Sequence, residues 1–232
     1  MKVLVTGAAG GIGSAAAAAF EAAGHSVVRH DVAISTSIDL AGDLMERDAL
    51  DAVAALCRTE EVDAVVAAHG SAGSGELGRI SEDQIRRIMR INTLSVFRLY
   101  EAIRDHLVDR DGAFVTVSSQ AGLEGEAQNG VYSASKFALV GWTRGVAAGG
   151  RSPRMRVICP GMTETPLLVA GLTGMAAEAG ITYEEYLGRR LANLPSRRLG
   201  RPEEVGRAIV WLTSLKTRGA VVAAVTGGET FE

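Results

Sequence analysis

The stretch from Lys2 to Gly13 constrains this chain more than any other. An apolar, β-branched run, Lys2-Val3-Leu4-Val5-Thr6, passes directly into Gly7-Ala8-Ala9-Gly10-Gly11-Ile12-Gly13 and then into an alanine-rich helical pattern. A strand that meets a glycine turn and then a helix is the opening of a βαβ unit, which demands a parallel sheet covered by helices on both faces. The remaining sequence keeps the alternation. Strands are expected near residues 2–6, 26–30, 63–68, 112–118, 154–159 and 220–225, with a weaker one around 36–40 ahead of Asp43. Helices are expected over 11–23, 46–57, 81–108, 130–148, 182–193 and 202–214. The pattern is that of an α/β fold.

Two helix starts carry their own chemistry. Ser81 with Gln84 forms a capping box, and Pro202 followed by Glu203 and Glu204 makes a favourable first turn. Val205, Ala208, Ile209 and Leu212 then repeat on one helical face, which must pack on a core. Between 162 and 200 the periodicity weakens among scattered glycines, so a mobile flap is expected there, over the substrate. No linker or internal repeat interrupts the chain, and 232 residues suit one α/β domain.

Composition removes several classes of function. The 24 basic against 27 acidic side chains leave a net charge of −3, so no basic field exists to attract a nucleic acid. No apolar stretch approaches the ~20 residues that cross a bilayer, and no signal h-region precedes the first strand, so neither a membrane partner nor export is expected. Cys57 and Cys159 stand alone, outside any C-x-x-C spacing, which implies no disulfide framework, no thiolate metal site and a cytoplasmic, reducing location.

The glycine turn predicts a dinucleotide site. Glycines let the backbone approach a pyrophosphate, while free N–H groups and the dipole at the helix start stabilise its charge. The spacing is Gly7-x-x-x-Gly11-x-Gly13 rather than G-x-G-x-x-G. Asp31, 18 positions past Gly13, closes the second strand where a carboxylate would accept hydrogen bonds from an adenosine ribose. With Ala8, Ala9 and Val32 offering no positive charge, a 2′-phosphate would meet Asp31 unopposed, which favours NAD over NADP; Arg29 weakens this slightly.

Tyr132 and Lys136 lie i, i+4 on one face of an expected helix, and Ser119 ends the apolar strand Phe114-Val115-Thr116-Val117-Ser118. Together they suit proton transfer coupled to hydride transfer. A free tyrosine ionises near 10, so bringing it near neutrality takes roughly 4 kcal/mol, and one ammonium about 4 Å away supplies a similar amount at an effective dielectric near 20. Asn92 falls in the buried stripe Ile85, Ile88, Met89, Asn92, Val96, Leu99 and Ile103, where an unpaired amide would cost roughly 1 to 3 kcal/mol, so it needs a defined partner.

The ordered set of the Thr6–Gly13 turn, Asp31, Asp43-Leu44, Asn92, Ser119, Tyr132-x-x-x-Lys136 and Pro160-Gly161-x-x-x-Thr165 resembles the short-chain dehydrogenases/reductases, from Lys2 to about Gly228. The resemblance implies a single Rossmann-type domain, a doubly wound three-layer αβα sandwich with a mostly parallel seven-stranded sheet, and assembly into a homo-oligomer, a tetramer or a dimer. It implies Tyr132 as acid/base and Ser119 as the hydrogen-bond partner of the substrate oxygen. Lys136 would hold the nicotinamide ribose and lower the pKa of Tyr132, and Asn92 would bind a water in a proton relay. It places cofactor contacts at Gly7, Gly10, Gly11, Ile12, Gly13, Asp31, Asp43, Leu44, Ala68, Gly70, Tyr132, Lys136, Pro160, Gly161, Thr163 and Thr165, with Asp43 and Leu44 at the adenine and Thr163 and Thr165 at the carboxamide; no metal is implied.

Three departures stand out. Ala67-Ala68-His69-Gly70 replaces the usual Asn-Asn-Ala-Gly, and loss of the amides is expected to loosen that turn. His69 is expected to bond to backbone rather than act as an acid/base. The Lys136–Pro160 stretch is short, with Gly149-Gly150 where the helix usually continues, and Thr226 stands in place of an aspartate. The leading expectation is an NAD(H)-dependent enzyme interconverting a secondary alcohol and a ketone. The alternatives are a 3-oxoacyl-thioester reductase, against which Asp31 argues, and a non-catalytic NAD-binding module. Leu167, Leu168, Val169, Leu172 and Met175 suggest an apolar or mixed small-molecule substrate, or simply the packing of the flap.

Overall fold

The computed structural model describes residues 1–72, 80–126 and 129–229. Its strands are β1 (Lys2–Thr6), β2 (Ser26–Asp31), β3 (Leu40–Ala41), β4 (Ala64–Ala67), β5 (Ala113–Val117), β6 (Arg154–Pro160) and β7 (Val221–Val225). They form one sheet in the order β3-β2-β1-β4-β5-β6-β7, every pair parallel. The helices are α1 (Gly11–Ala22), α2 (Arg47–Thr59), α3 (Glu82–Met89), α4 (Ser95–Asp109), α5 (Gly130–Ala148), α6 (Pro166–Glu178), α7 (Tyr183–Asn193) and α8 (Pro202–Ser214).

Parallel strands buried on both faces read as continuous apolar runs, as β4 (Ala-Val-Val-Ala) and β5 (Ala-Phe-Val-Thr-Val) do. On one face Leu4, Val65 and Phe114 pack under α2, α4 and α5, through Val53, Leu99 and Leu139. On the other, Val3, Val5 and Val115 pack under α1 and α8, through Phe20 and Ile209. These two helices approach so closely that a Cβ on Gly206 would lie 2.6 Å from the Ala15 carbonyl oxygen. This is the doubly wound, three-layer αβα arrangement of a Rossmann fold. Chain order reverses between β1 and β4, so a crevice opens at the carboxyl ends of those strands.

The capping box forms as expected: Gln84 N–H donates to Ser81 Oγ at 3.2 Å, and Ser81 N–H to Gln84 Oε1 at 3.0 Å. Three expectations change. The third strand is two residues long and starts at Leu40, because only Leu40 and Ala41 pair with His30 and Asp31. The helix expected over 81–108 carries a π-turn at Arg90–Leu94 between α3 and α4. The segment 162–200 is largely helical, since α6 precedes the expected α7; Thr165 caps α6 by accepting the Leu168 N–H at 3.2 Å, and Pro166 fills the first turn. Gly149-Gly150 does end α5, with Gly150 at φ +95°.

Candidate active site

The glycine turn is shaped by contacts that leave no room for side chains. Gly7 has φ +69°, and a Cβ there would lie 2.6 Å from the backbone of His69; one on Gly13 would lie 2.0 Å from the Gly7 carbonyl oxygen. A Cβ on Gly11 would strike the Thr165 methyl at 2.5 Å. The N-cap of α1 is Gly10, with no side-chain cap, so the first-turn N–H groups point from the turn without a side-chain acceptor of their own. That is the donor set a pyrophosphate requires, and the residues fit a dinucleotide.

Asp31 reaches over this turn. Its Oδ2 accepts the Ala9 N–H at 2.9 Å and its Oδ1 the Ala33 N–H at 3.0 Å, which fixes the carboxylate at the end of β2. Arg29 points elsewhere: both guanidinium nitrogens engage Glu21, at 2.6 and 2.8 Å. Its charge is therefore paired with a carboxylate on α1. Asp43 accepts the Met45 N–H at 2.8 Å, and the Leu44 side chain is buried in the core beside α2.

Tyr132, Ser119, Ile12, Pro160, Gly161, Thr163 and Thr165 line one cleft of about 930 Å³, open solvent included. Ser119 faces the cleft beside Tyr132 and favours ionisation of its hydroxyl, and its Oγ accepts the Ala121 N–H at 3.1 Å. Thr163 donates to the Gly161 carbonyl at 3.0 Å. Behind the cleft, Lys136 Nζ and Asn92 Oδ1 both flank Gly70, each 3.4 Å from where a Cβ on it would lie. Lys136 Nζ donates to the Val117 carbonyl at 3.1 Å. Asn92, fully buried in the π-turn, donates to the Ser71 carbonyl at 3.0 Å and to Ser135 Oγ at 3.1 Å, and accepts the Ser71 N–H at 2.8 Å. This answers the need for a partner and leaves the amide little capacity for water.

Burial pushes the Tyr132 hydroxyl up to about 12, with Ser119 pulling it down and the Glu126 carboxylate pushing it further up. Lys136 lies one turn along the same helix. Burial pushes its ammonium down to about 8, and its Nζ lies 5.7 Å from the centre of the Tyr132 ring, held on a main-chain carbonyl. In the protein alone, Tyr132 is a neutral phenol.

The Ala67-Ala68-His69-Gly70 turn is not loosened. His69 stitches it: Nδ1 pairs with Thr6 Oγ1 at 2.6 Å and Nε2 with Ser95 Oγ at 2.8 Å. Because Ser95 Oγ donates to the Ile91 carbonyl at 2.6 Å, it accepts from Nε2–H, and Thr6 in turn donates to Nδ1. The partners are hydroxyls rather than backbone. Burial, with Lys136 adding repulsion, pushes the imidazole down to about 3, so His69 stays neutral. Ala68 N–H donates to the Thr6 carbonyl at 3.2 Å. Thr226 packs against Gly161, where a Cβ would meet its Cα at 2.8 Å.

Sequence residues 1–173 match the family model described as short chain dehydrogenase. The chain belongs to the short-chain dehydrogenase family. An uncharacterised oxidoreductase of Thermotoga maritima is 31% identical over 90% of this chain and 88% of its own length. A 3-oxoacyl-[acyl-carrier-protein] reductase of the same organism is 28% identical over 91% of this chain and 89% of its own. A point variant of the actinorhodin polyketide ketoreductase, solved with NADPH, superposes with a TM-score of 0.89 at 23% identity, covering 98% of this chain and 96% of that one, which shows the shared fold. This short-chain dehydrogenase is thus an oxidoreductase of a family that binds a nicotinamide cofactor. No helix among the described residues is long and apolar enough to cross a membrane.

The cleft also holds residues that the sequence did not single out. Glu126 and Asn129 sit on the loop before Tyr132, hydrogen-bonded to each other at 3.0 Å, and Tyr186 and Arg190 reach the cleft from α7. Glu126 carries no signal in the sequence; Arg190 carries one, as a charged residue on the repeating face of a helix.

Proposed function

We propose that this protein is an NAD-dependent oxidoreductase that interconverts a secondary alcohol and a ketone. The observation that carries the proposal is the placement of Tyr132 and Ser119 on the wall of one cleft that also reaches Ile12 and Thr163 beside the glycine turn.

The residues present would hold the dinucleotide as follows: the start of α1 at the pyrophosphate, Asp31 at the adenosine ribose, Asp43 and the Leu44 backbone at the adenine, Lys136 at the second ribose, and Thr163 with Thr165 at the carboxamide. When bound, the nicotinamide supplies the hydride acceptor or donor. Ser119 orients the substrate oxygen by hydrogen bonding, and Tyr132 Oη takes the alcohol proton in oxidation or returns it in reduction. Burial makes a neutral Tyr132 the resting form, so it is poised as a proton donor to a ketone. Lys136 brings positive charge to this region, and Asn92 acts by fixing the Ser71 turn and the start of α4.

Support for NAD comes from Asp31, whose carboxylate is fixed at the end of β2 over the glycine turn, while Arg29, two residues before it, is engaged by Glu21. A second reading, 3-oxoacyl-thioester reduction, has support from the Thermotoga maritima relative; Asp31 opposes it, since such syntheses generally use NADPH. Exposed Leu94 and Phe137 beside α4 and on α5, and Trp211 on α8, suit a homo-oligomer. Cys57 and Cys159, both buried and outside any disulfide, suit a reducing cytoplasm.

The test is Tyr132→Phe, which removes one oxygen and little volume. Turnover of secondary alcohols with NAD should fall by about 10²- to 10⁴-fold while the NADH dissociation constant stays within about twofold. Turnover close to wild type would end the role given to Tyr132.

A further inference from the structure

The face of α7 turned toward α6 is formed by Tyr183, Tyr186, Leu187 and Arg190, spaced i, i+3, i+4 and i+7. On such a face the last position usually holds an apolar residue. Here it holds a guanidinium, and that guanidinium lines the same cleft as Tyr132 and Ser119. Its neighbour Arg189 behaves as a surface cation should, pairing with Glu185 at 2.7 Å one turn back. Arg190 does not: its one ion pair among the described residues, with Glu229, is long at 3.7 Å, and it makes no hydrogen bond among them. A half-buried guanidinium with free donors, facing a catalytic cleft, suits a planar anion that accepts two parallel hydrogen bonds.

We propose that Arg190 binds the carboxylate of the substrate, so that this enzyme acts on hydroxy- and oxo-carboxylates, with the carbinol or keto carbon at Tyr132 and Ser119 and the carboxylate under α7. The inference rests on the alcohol/ketone reading of the site given above. The cleft's other charged lining group, Glu126, is engaged by Asn129 on the loop before Tyr132. The negative lining group thus lies on the loop that leads into Tyr132 and the positive one on α7. Glu229 is a counter-ion that a substrate carboxylate would displace; one of its oxygens has no hydrogen-bond partner among the described residues, so the existing pair is incomplete. Leu168 and Leu172 line the same cleft and offer apolar surface to the methylenes of such a substrate.

The experiment titrates the NADH complex with 3-oxobutyrate, 4-oxopentanoate and 5-oxohexanoate and with their methyl esters, followed by NADH fluorescence. At least one acid should bind about tenfold or more tightly than its ester, equivalent to about 1.4 kcal/mol, the lower range of a charge-assisted hydrogen bond. Arg190→Gln should abolish that preference and leave ester affinity unchanged; Arg190→Lys should keep part of it. Glu229→Gln, which frees Arg190, should increase it, an effect that a purely structural ion pair would not produce. Equal binding of acids and esters across the series, or a preference that survives Arg190→Gln in a protein that melts normally, overturns the proposal. Reduction of the esters by NADH is read separately: if the esters are reduced but no acid preference exists, the oxidoreductase reading stands and the Arg190 proposal falls. If the preference exists and nothing is reduced, Arg190 binds carboxylates but the oxidoreductase reading falls, and with it the assignment of these acids as substrates.

Discussion

Lys136 should make this protein less stable than it could be, and the amount can be worked from its environment. Its ammonium has an ordinary pKa of 10.5 and is pushed down by burial to about 8 in the folded protein. At pH 7 the group is charged in both states, so folding bears the whole cost of burying the charge, about 3 kcal/mol at 1.36 kcal/mol per pH unit. The sign follows from the depressed folded value: the penalty is absent above about pH 10.5, grows as pH falls, and is complete below about 8. At pH 10 about 1 kcal/mol of it remains. Lys136→Met keeps the length of the side chain and removes the charge. It also strips the Val117 carbonyl of its donor, at roughly 1 to 3 kcal/mol, but that loss is the same at both pH values, because a neutral amine still donates. The prediction is therefore a difference: relative to wild type, the variant should gain about 2 kcal/mol between pH 10 and pH 7, or roughly 4 to 8 °C in Tm for a chain of this size. Urea unfolding followed by circular dichroism at the two pH values measures it. A stability difference independent of pH would refute the claim that Lys136 carries a buried charge, and with it the claim that this charge is held for function.

Two further perturbations follow. The Glu126 carboxylate pushes the Tyr132 hydroxyl up, so Glu126→Gln should move the rising alkaline limb of alcohol oxidation to lower pH, by up to about one unit, in a kcat profile; a shift the other way contradicts the electrostatics. Gly7→Ala forces a side chain onto the His69 backbone at a left-handed φ, so it should cost more than about 2 kcal/mol in thermal melts and abolish NADH binding; wild-type melting and binding would mean the turn is not built as described.

The fold is readable because each βα unit carries its own local signals: the glycine turn after β1, the Ser81–Gln84 box before α3, and Pro202 before α8. Helix α6 escapes the sequence pattern although Thr165-Pro166 is the same kind of start signal, because the residues after it are apolar all round and hide the period. The two-residue β3 is displaced from its expected position because so short a strand is defined by its pairing with His30 and Asp31 rather than by its composition. In the site, Ser119 and Tyr132 line one cleft, and Lys136 and Asn92 flank Gly70 behind it. What spacing cannot carry is the third dimension of charge. That Lys136 turns to a carbonyl, that Arg29 is claimed by Glu21, and that His69 replaces the missing amides through Thr6 and Ser95 all depend on partners outside the motifs themselves.

The central claim is that the ribose end of this site is built for an unphosphorylated dinucleotide. Titrating the wild-type protein with NADH and with NADPH, followed by cofactor fluorescence at fixed ionic strength, tests it directly. The account predicts that NADH binds at least about tenfold more tightly, because a 2′-phosphate meets the fixed Asp31 carboxylate while the Arg29 guanidinium is already paired with Glu21. Equal affinities, or tighter binding of NADPH, would contradict it.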